Sequence, residues 1–75
     1  MNDLTENQTL FTVFCIESLS EHLKISVREV YKLLTDKTNI LDDYILPCYD
    51  VLHTQGREYI TDELSELLRT RGAAV

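Results

Sequence analysis

The feature that most restricts this chain is the run from Ser26 to Leu34. Ser26 and Glu29 have capping-box spacing, in which each side chain satisfies the other residue's backbone amide. Val27, Val30, Tyr31 and Leu34 follow at i, i+3, i+4 and i+7, the period of a helix with one apolar side. A helix over roughly 27–35 is expected, with Arg28, Glu29 and Lys32 on its wet side. The polar run 36–38 then reads as a loop. One short amphipathic helix cannot bury its own apolar side, so the rest of the chain must supply the cover.

The flanking segments repeat the pattern. Thr5 and Gln8 form a second capping-box pair, which predicts a helix from Glu6 to His22. Its apolar residues, Leu10, Phe11, Val13, Phe14, Cys15, Ile16 and Leu19, cover more than one stripe and suggest a helix contacted on several sides. Asn39 is placed to cap a third helix over 40–53, with Asp42 and Asp43 near its positive end. Leu41, Tyr44, Ile45, Cys48 and Leu52 keep helical spacing there. Pro47 interrupts it by removing one amide and clashing with the carbonyl of Asp43, so a kink, or a break with a restart at Pro47, is expected. Gly56 is expected at positive φ as the stop of this helix. Arg57 to Ile60 reads as linker. Thr61 reads as the cap of a last helix over 62–71, with Asp62 and Glu63 in its first turn and Gly72 after its end.

Together these segments imply an all-α fold: one small domain over 1–75, a compact bundle of about four short helices, with 1–4 and 73–75 frayed. The expected core is Leu10, Phe14, Val30, Leu34, Ile45, Leu52, Leu64 and Leu68. A 75-residue chain buries only about 60% of its unfolded surface, so this core is small. Cys15 and Cys48 make no metal pattern and read as buried thiols.

Charge restricts the partners. Thirteen acids against seven Lys and Arg give a formal net charge of −6. That balance disfavours phosphate backbones and anionic membranes. Ser26 to Tyr44 allows a helix-turn-helix reading and hence a DNA-binding regulator. Its second helix would begin NILDDYIL, however, with two adjacent acids and no Arg, Lys or Gln for base edges. No apolar run is long enough to span a bilayer. MNDLTENQ lacks the basic and apolar regions of a signal peptide, so a cytoplasmic protein is expected.

Distinctive chemistry concentrates in YDVLHTQGREYITDEL, from Tyr49 to Leu64. Asp50 and His53 lie at i, i+3 on one side of a helix, where a carboxylate can orient an imidazole as a general base. A small enzyme is one reading of that pair. The competing reading has His53 cap the helix end through a carbonyl. No Ser or Cys nucleophile signature accompanies the pair, no metal-ligand spacing is present, and no cofactor is implied. Tyr44, Tyr49 and Tyr59 suit either the rim of a core or an aromatic contact patch.

The same stretch resembles a family of small bacterial proteins of unknown function. The shared pattern is an aromatic–Asp pair, Leu-His-Thr-x-Gly, then Tyr-Ile and an acid. Here these are Tyr49, Asp50, Leu52, His53, Thr54, Gly56, Tyr59, Ile60 and Asp62. FCIESL resembles the family's first helix, and the likeness covers nearly the whole chain. Pro47 departs from the uninterrupted helix expected there. The resemblance implies genes lying beside ADP-ribosyltransferase-like toxins, and so an antitoxin or accessory role. Taken together, the expectation is a non-enzymatic protein-interaction module. Tyr49, Asp50, His53, Thr54, Gln55, Gly56 and Tyr59 form its candidate binding residues, the partner is another protein, and self-association stays open.

Overall fold

The computed structural model describes residues 5–73. They form a compact all-α bundle. The order is α1 (Glu6–Leu23), α2 (Val27–Lys32), a π-helical segment (Leu33–Lys37), a second π-helical segment (Leu41–Ile45), α3 (Tyr49–Leu52) and α4 (Arg57–Thr70). α1 packs against both α2 and α4. The expectation that 1–4 fray falls outside the described residues.

α1 starts at the capping box read from the sequence: the Thr5 hydroxyl accepts from the Gln8 amide and the Gln8 side chain accepts from the Thr5 amide. It ends at Lys24, which is left-handed at φ 60°. There the Ile25 amide reaches the Ser20 carbonyl, and the Ser20 hydroxyl donates to the Ile25 carbonyl at 2.6 Å. The Ser26 hydroxyl caps α2 by accepting from the Glu29 amide.

The core consists of Phe11, Cys15, Ile16, Leu19, Val30, Leu34, Ile40, Ile45, Leu52, Ile60, Leu64, Leu68 and Ala73. Leu10 and Phe14 do not belong to it: they are 61% and 37% exposed. α1 uses the stripe Phe11, Cys15, Ile16 and Leu19, which leaves Leu10 and Phe14 one position further round on the outer side. The helix is therefore not covered on every side. Val27 and Tyr31 are also exposed, so of the stripe read from the sequence only Val30, on α2, and Leu34, in the π-helical segment that continues it, are buried. Cys15 is buried, whereas Cys48 is only half-buried.

The expected third helix is divided. The Thr38 amide reaches the Leu33 carbonyl at 3.1 Å and the Leu46 amide reaches the Leu41 carbonyl at 3.0 Å, both across five residues. These wide turns bracket Asn39, which is left-handed at φ 59°. Asn39 does not cap as expected. The Thr38 hydroxyl instead accepts from the Ile40 amide at 3.3 Å while donating to the Leu33 carbonyl at 2.7 Å. Pro47 lies in the turn 46–48, and α-helix resumes only at Tyr49, two residues beyond the expected restart. The wide turn before Pro47 fits the loss of its amide and the crowding of its ring against the preceding turn.

The last helix begins earlier than expected, at Arg57. Gly56, at φ −76° and ψ 164°, is its N-cap in extended backbone, not a positive-φ stop. Arg57 to Ile60 is thus helix rather than linker. Thr61 is buried inside the second turn, where its hydroxyl donates to the Arg57 and Glu58 carbonyls instead of capping. Packing of Ile60 in line with Leu64 and Leu68 overrides the strand preference of Tyr59 and Ile60.

At the far end Gly72 takes φ 93°. The Gly72 amide reaches the Arg69 carbonyl and the Ala73 amide reaches the Leu68 carbonyl, a Schellman ending. Ala73 is accordingly buried, not frayed. Arg71 donates to the Thr38 carbonyl at 3.0 Å and to Asp43 at 3.1 Å, which fastens the end of α4 to the junction of the two π segments.

Candidate functional site

The motif residues gather where α3 ends and α4 begins. α3 is a single turn, so its carbonyls need partners from the residues after it. The His53 amide and the His53 Nδ1 both reach the Tyr49 carbonyl, the ring nitrogen at 2.8 Å. Because a carbonyl only accepts, Nδ1 carries the proton and the Nε2 edge is left for other contacts. The Thr54 hydroxyl donates to the Val51 carbonyl at 2.7 Å, and the Gln55 amide to the Leu52 carbonyl at 2.9 Å. Gly56 then turns the chain into α4.

The imidazole is also held by stacking. The Tyr49 and His53 rings lie 4.5 Å apart at 12°. Tyr49 and Phe11 meet edge to face with ring centroids 5.5 Å apart, and the Phe11 and Phe14 centroids lie 6.1 Å apart. Phe14, Phe11, Tyr49 and His53 thus form one aromatic row running from α1 to α3. Offset and edge-to-face pairs of this kind each add about 0.5–1.5 kcal/mol beyond burial. The row fixes the exposed His53 ring from beneath and from the side. Asp50 is exposed and does not pair with His53: among the described residues the ion pairs are Arg57–Glu21, Arg69–Glu66 and Arg71–Asp43. The carbonyl-capping reading of His53 is therefore the one the geometry matches.

The tyrosines divide. Tyr49 is half-buried within the row, and Tyr59 stands 49% exposed on the first turn of α4. Tyr44 is half-buried elsewhere, donating to Glu63 at 3.1 Å. Burial, then the Glu63 carboxylate, pushes its hydroxyl up to about 12. Burial alone pushes the Cys15 thiol up to about 12, leaving it protonated and inert at neutral pH. Of the candidate residues, then, Tyr49, His53, Thr54, Gln55 and Gly56 are brought together, with Asp50 exposed on α3 itself and Tyr59 on the first turn of α4. The sequence reading missed Phe11 and Phe14 as members of the row. Their i, i+3 spacing was the available signal.

A shallow groove of about 400 Å³ lies beside this region, lined by Ser18, Glu21, His22, Arg57, Glu58 and Thr61. Arg57 and Glu21, both in its lining, are ion-paired. Among the described residues no three His, Cys, Asp or Glu side chains converge as metal ligands. No helix among them is long and apolar enough to cross a membrane.

Fold and surface define a small all-α domain in which an aromatic row, exposed at its Phe14 and His53 ends, runs from α1 to α3. Residues 10–71 match the family described as protein of unknown function, DUF3791, and the chain belongs to that family. No curated protein and no solved structure matches the chain.

Proposed function

We propose that this chain acts by binding another protein through the α3–α4 junction, with Tyr49, Asp50, His53, Thr54, Gln55, Gly56 and Tyr59 at or beside the contact. The observation that carries the proposal is the fixed imidazole. His53 is exposed, yet its ring is stacked on Tyr49 and tied to the Tyr49 carbonyl. A side chain already immobilised loses little entropy on binding, and the Nε2 edge remains for the partner. Tyr59 adds a second large, exposed and amphipathic ring nearby. The net charge of −6 favours encounter with a basic partner. The family resemblance of the Tyr49–Asp62 motif suggests a bacterial setting and an ADP-ribosyltransferase-like toxin encoded nearby as the partner. In that setting this chain would act as antitoxin or accessory subunit.

The test is co-expression with the neighbouring gene product, followed by pull-down at low salt and a thermal melt of each variant. His53→Ala removes one exposed hydrogen bond and one stacking pair. It should lower stability by no more than about 1–2 kcal/mol while abolishing capture of the partner. A His53→Ala protein that binds as well as wild type defeats the proposal. So does a wild-type protein that retains no partner.

A further inference from the structure

Charge is distributed unevenly over the helices. Residues 24–37 hold Lys24, Arg28, Lys32 and Lys37, four of the seven Lys and Arg, against only Glu29 and Asp36 of the thirteen acids. The other three cations are each ion-paired: Arg57 with Glu21, Arg69 with Glu66 and Arg71 with Asp43. Among the described residues, the four cations of 24–37 take part in no ion pair. α1 has the opposite bias, with Glu6, Glu17 and Glu21 and no Lys or Arg.

Each of these two regions also exposes apolar side chains in a row. On the outer side of α1, Leu10, Val13 and Phe14 are 61%, 45% and 37% exposed. Glu6, Leu10, Val13, Phe14, Glu17 and Glu21 succeed one another at helical spacing, so the apolar centre carries carboxylates at both ends. On α2, Val27 and Tyr31 are 50% and 52% exposed, with Arg28 and Lys32 one position further round. Contiguous exposed apolar side chains mark contact surfaces. Two such strips of opposite charge are complementary to one another. α2 packs against α1, and both strips lie on the outward sides of their helices. A single molecule therefore cannot close one strip on the other.

We propose that the α1 strip of one copy docks on the α2 strip of a second copy, head to tail. Charge decides against the symmetric alternatives. An α1–α1 contact would oppose Glu6 and Glu17, the α1 carboxylates outside the Arg57–Glu21 pair, to themselves, and an α2–α2 contact would oppose Arg28 and Lys32 to themselves. Only the heterologous arrangement brings opposite signs together, and its repetition gives open chains or rings. α2 is six residues long, so the contact is small and the association weak. It uses neither His53 nor Tyr59, so this proposal and the one for the α3–α4 junction fail separately.

Sedimentation velocity of the purified chain tests it. The sedimentation coefficient should rise with concentration at about 50 mM salt and fall back to that of a monomer at about 500 mM, where screening is nearly complete. Glu17→Lys disables the α1 strip and Arg28→Glu the α2 strip. Each alone should weaken association at least about tenfold. Mixed in equal amounts they should associate again, because the two intact strips pair and the two reversed positions also bring opposite charges together. The Arg28→Glu chain keeps an intact α1 strip, and the Glu17→Lys chain keeps an intact α2 strip. Both positions are exposed, and circular dichroism melts confirm the fold. Should either variant unfold, Glu17→Gln and Arg28→Gln replace them, with a smaller loss in the same direction. A wild-type chain that stays monomeric at low salt overturns the proposal, as does a variant that associates like wild type. A mixture that stays monomeric refutes the head-to-tail arrangement.

Discussion

Replacing Thr38 by valine tests the junction on which the second half of the fold turns. Thr38 is buried, and its hydroxyl has two partners: it donates to the Leu33 carbonyl at 2.7 Å and accepts from the buried Ile40 amide at 3.3 Å. Valine keeps the shape and removes both bonds. The Leu33 carbonyl still receives the Thr38 amide, so its loss is partial. The Ile40 amide loses its acceptor inside the protein, at a cost of about 1–3 kcal/mol. Adding a small contribution from the Leu33 side, a destabilisation of about 2–3 kcal/mol is expected. A chain of this size holds in total roughly 4–11 kcal/mol. At ~4–8 °C per kcal/mol, Tm should drop by at least about 8 °C. Thr38→Ser retains the hydroxyl and loses one methyl group, costing about 1 kcal/mol. Thermal and urea melts followed at the helical circular dichroism band measure both variants. The expected order is wild type, then Thr38→Ser, then Thr38→Val, with unchanged urea m-values. A valine variant as stable as the serine variant would refute the argument, because the hydroxyl would then not hold the junction.

Leu34 is fully buried at the end of the α2 stripe, and Leu34→Ala should cost about 2–5 kcal/mol in the same melts; a loss below about 1 kcal/mol would mean the site collapses around the smaller side chain. Tyr44 titrates higher when folded, about 12 against an ordinary 10.0, because burial and the Glu63 carboxylate disfavour its anion. Its contribution to stability is therefore complete below pH 10 and is lost as pH climbs from 10 towards 12, so Tyr44→Phe should flatten the alkaline limb of a stability–pH curve, and an unchanged limb would count against the Glu63 contact. The buried Cys15 thiol, pushed up to about 12, should resist iodoacetamide at about pH 8 until urea unfolds the chain, while half-buried Cys48 is alkylated first by mass spectrometry.

Local chemistry in this sequence is readable where a residue has one good use. Thr5 and Gln8 make the full reciprocal cap their spacing implies, Ser26 and Glu29 make only its first half, the Ser26 hydroxyl accepting from the Glu29 amide, and Gly72 ends α4 at positive φ. Thr61 and Gly56 have two uses each. A threonine can cap a helix or bond back within it, and a glycine can stop one helix or open the next. Which use prevails at 56–61 depends on where Ile60 packs, and that is tertiary information. The same holds for α1. Leu10, Phe11, Val13, Phe14 and Cys15 offer adjacent apolar stripes, and periodicity does not say which one faces the core. The candidate site is legible to the same depth: i, i+4 spacing puts His53 on Tyr49, but the meeting of Phe11 with Tyr49 joins distant parts of the chain and leaves no local mark.

The π-helical segments explain why the middle of the chain is hardest to read and why the site sits where it does. A turn closed across five residues admits one residue more than an α-turn, so the side chains beyond it are rotated relative to the preceding helix. Two such turns flank Asn39, and the second leads into Pro47. A straight helix from Ile40 to His53 would have kept Leu41, Tyr44, Ile45, Cys48 and Leu52 on one face. In the broken path Ile45 and Leu52 are fully in the core, while Tyr44 turns outward far enough to reach Glu63 and Tyr49 meets Phe11. The break thus converts one long amphipathic helix into a short α3 carried on the side of α1. Its end, with His53 braced on Tyr49, faces solvent next to the first turn of α4. The proposed recognition surface is therefore a product of the same wide turns and proline that interrupt the helical pattern.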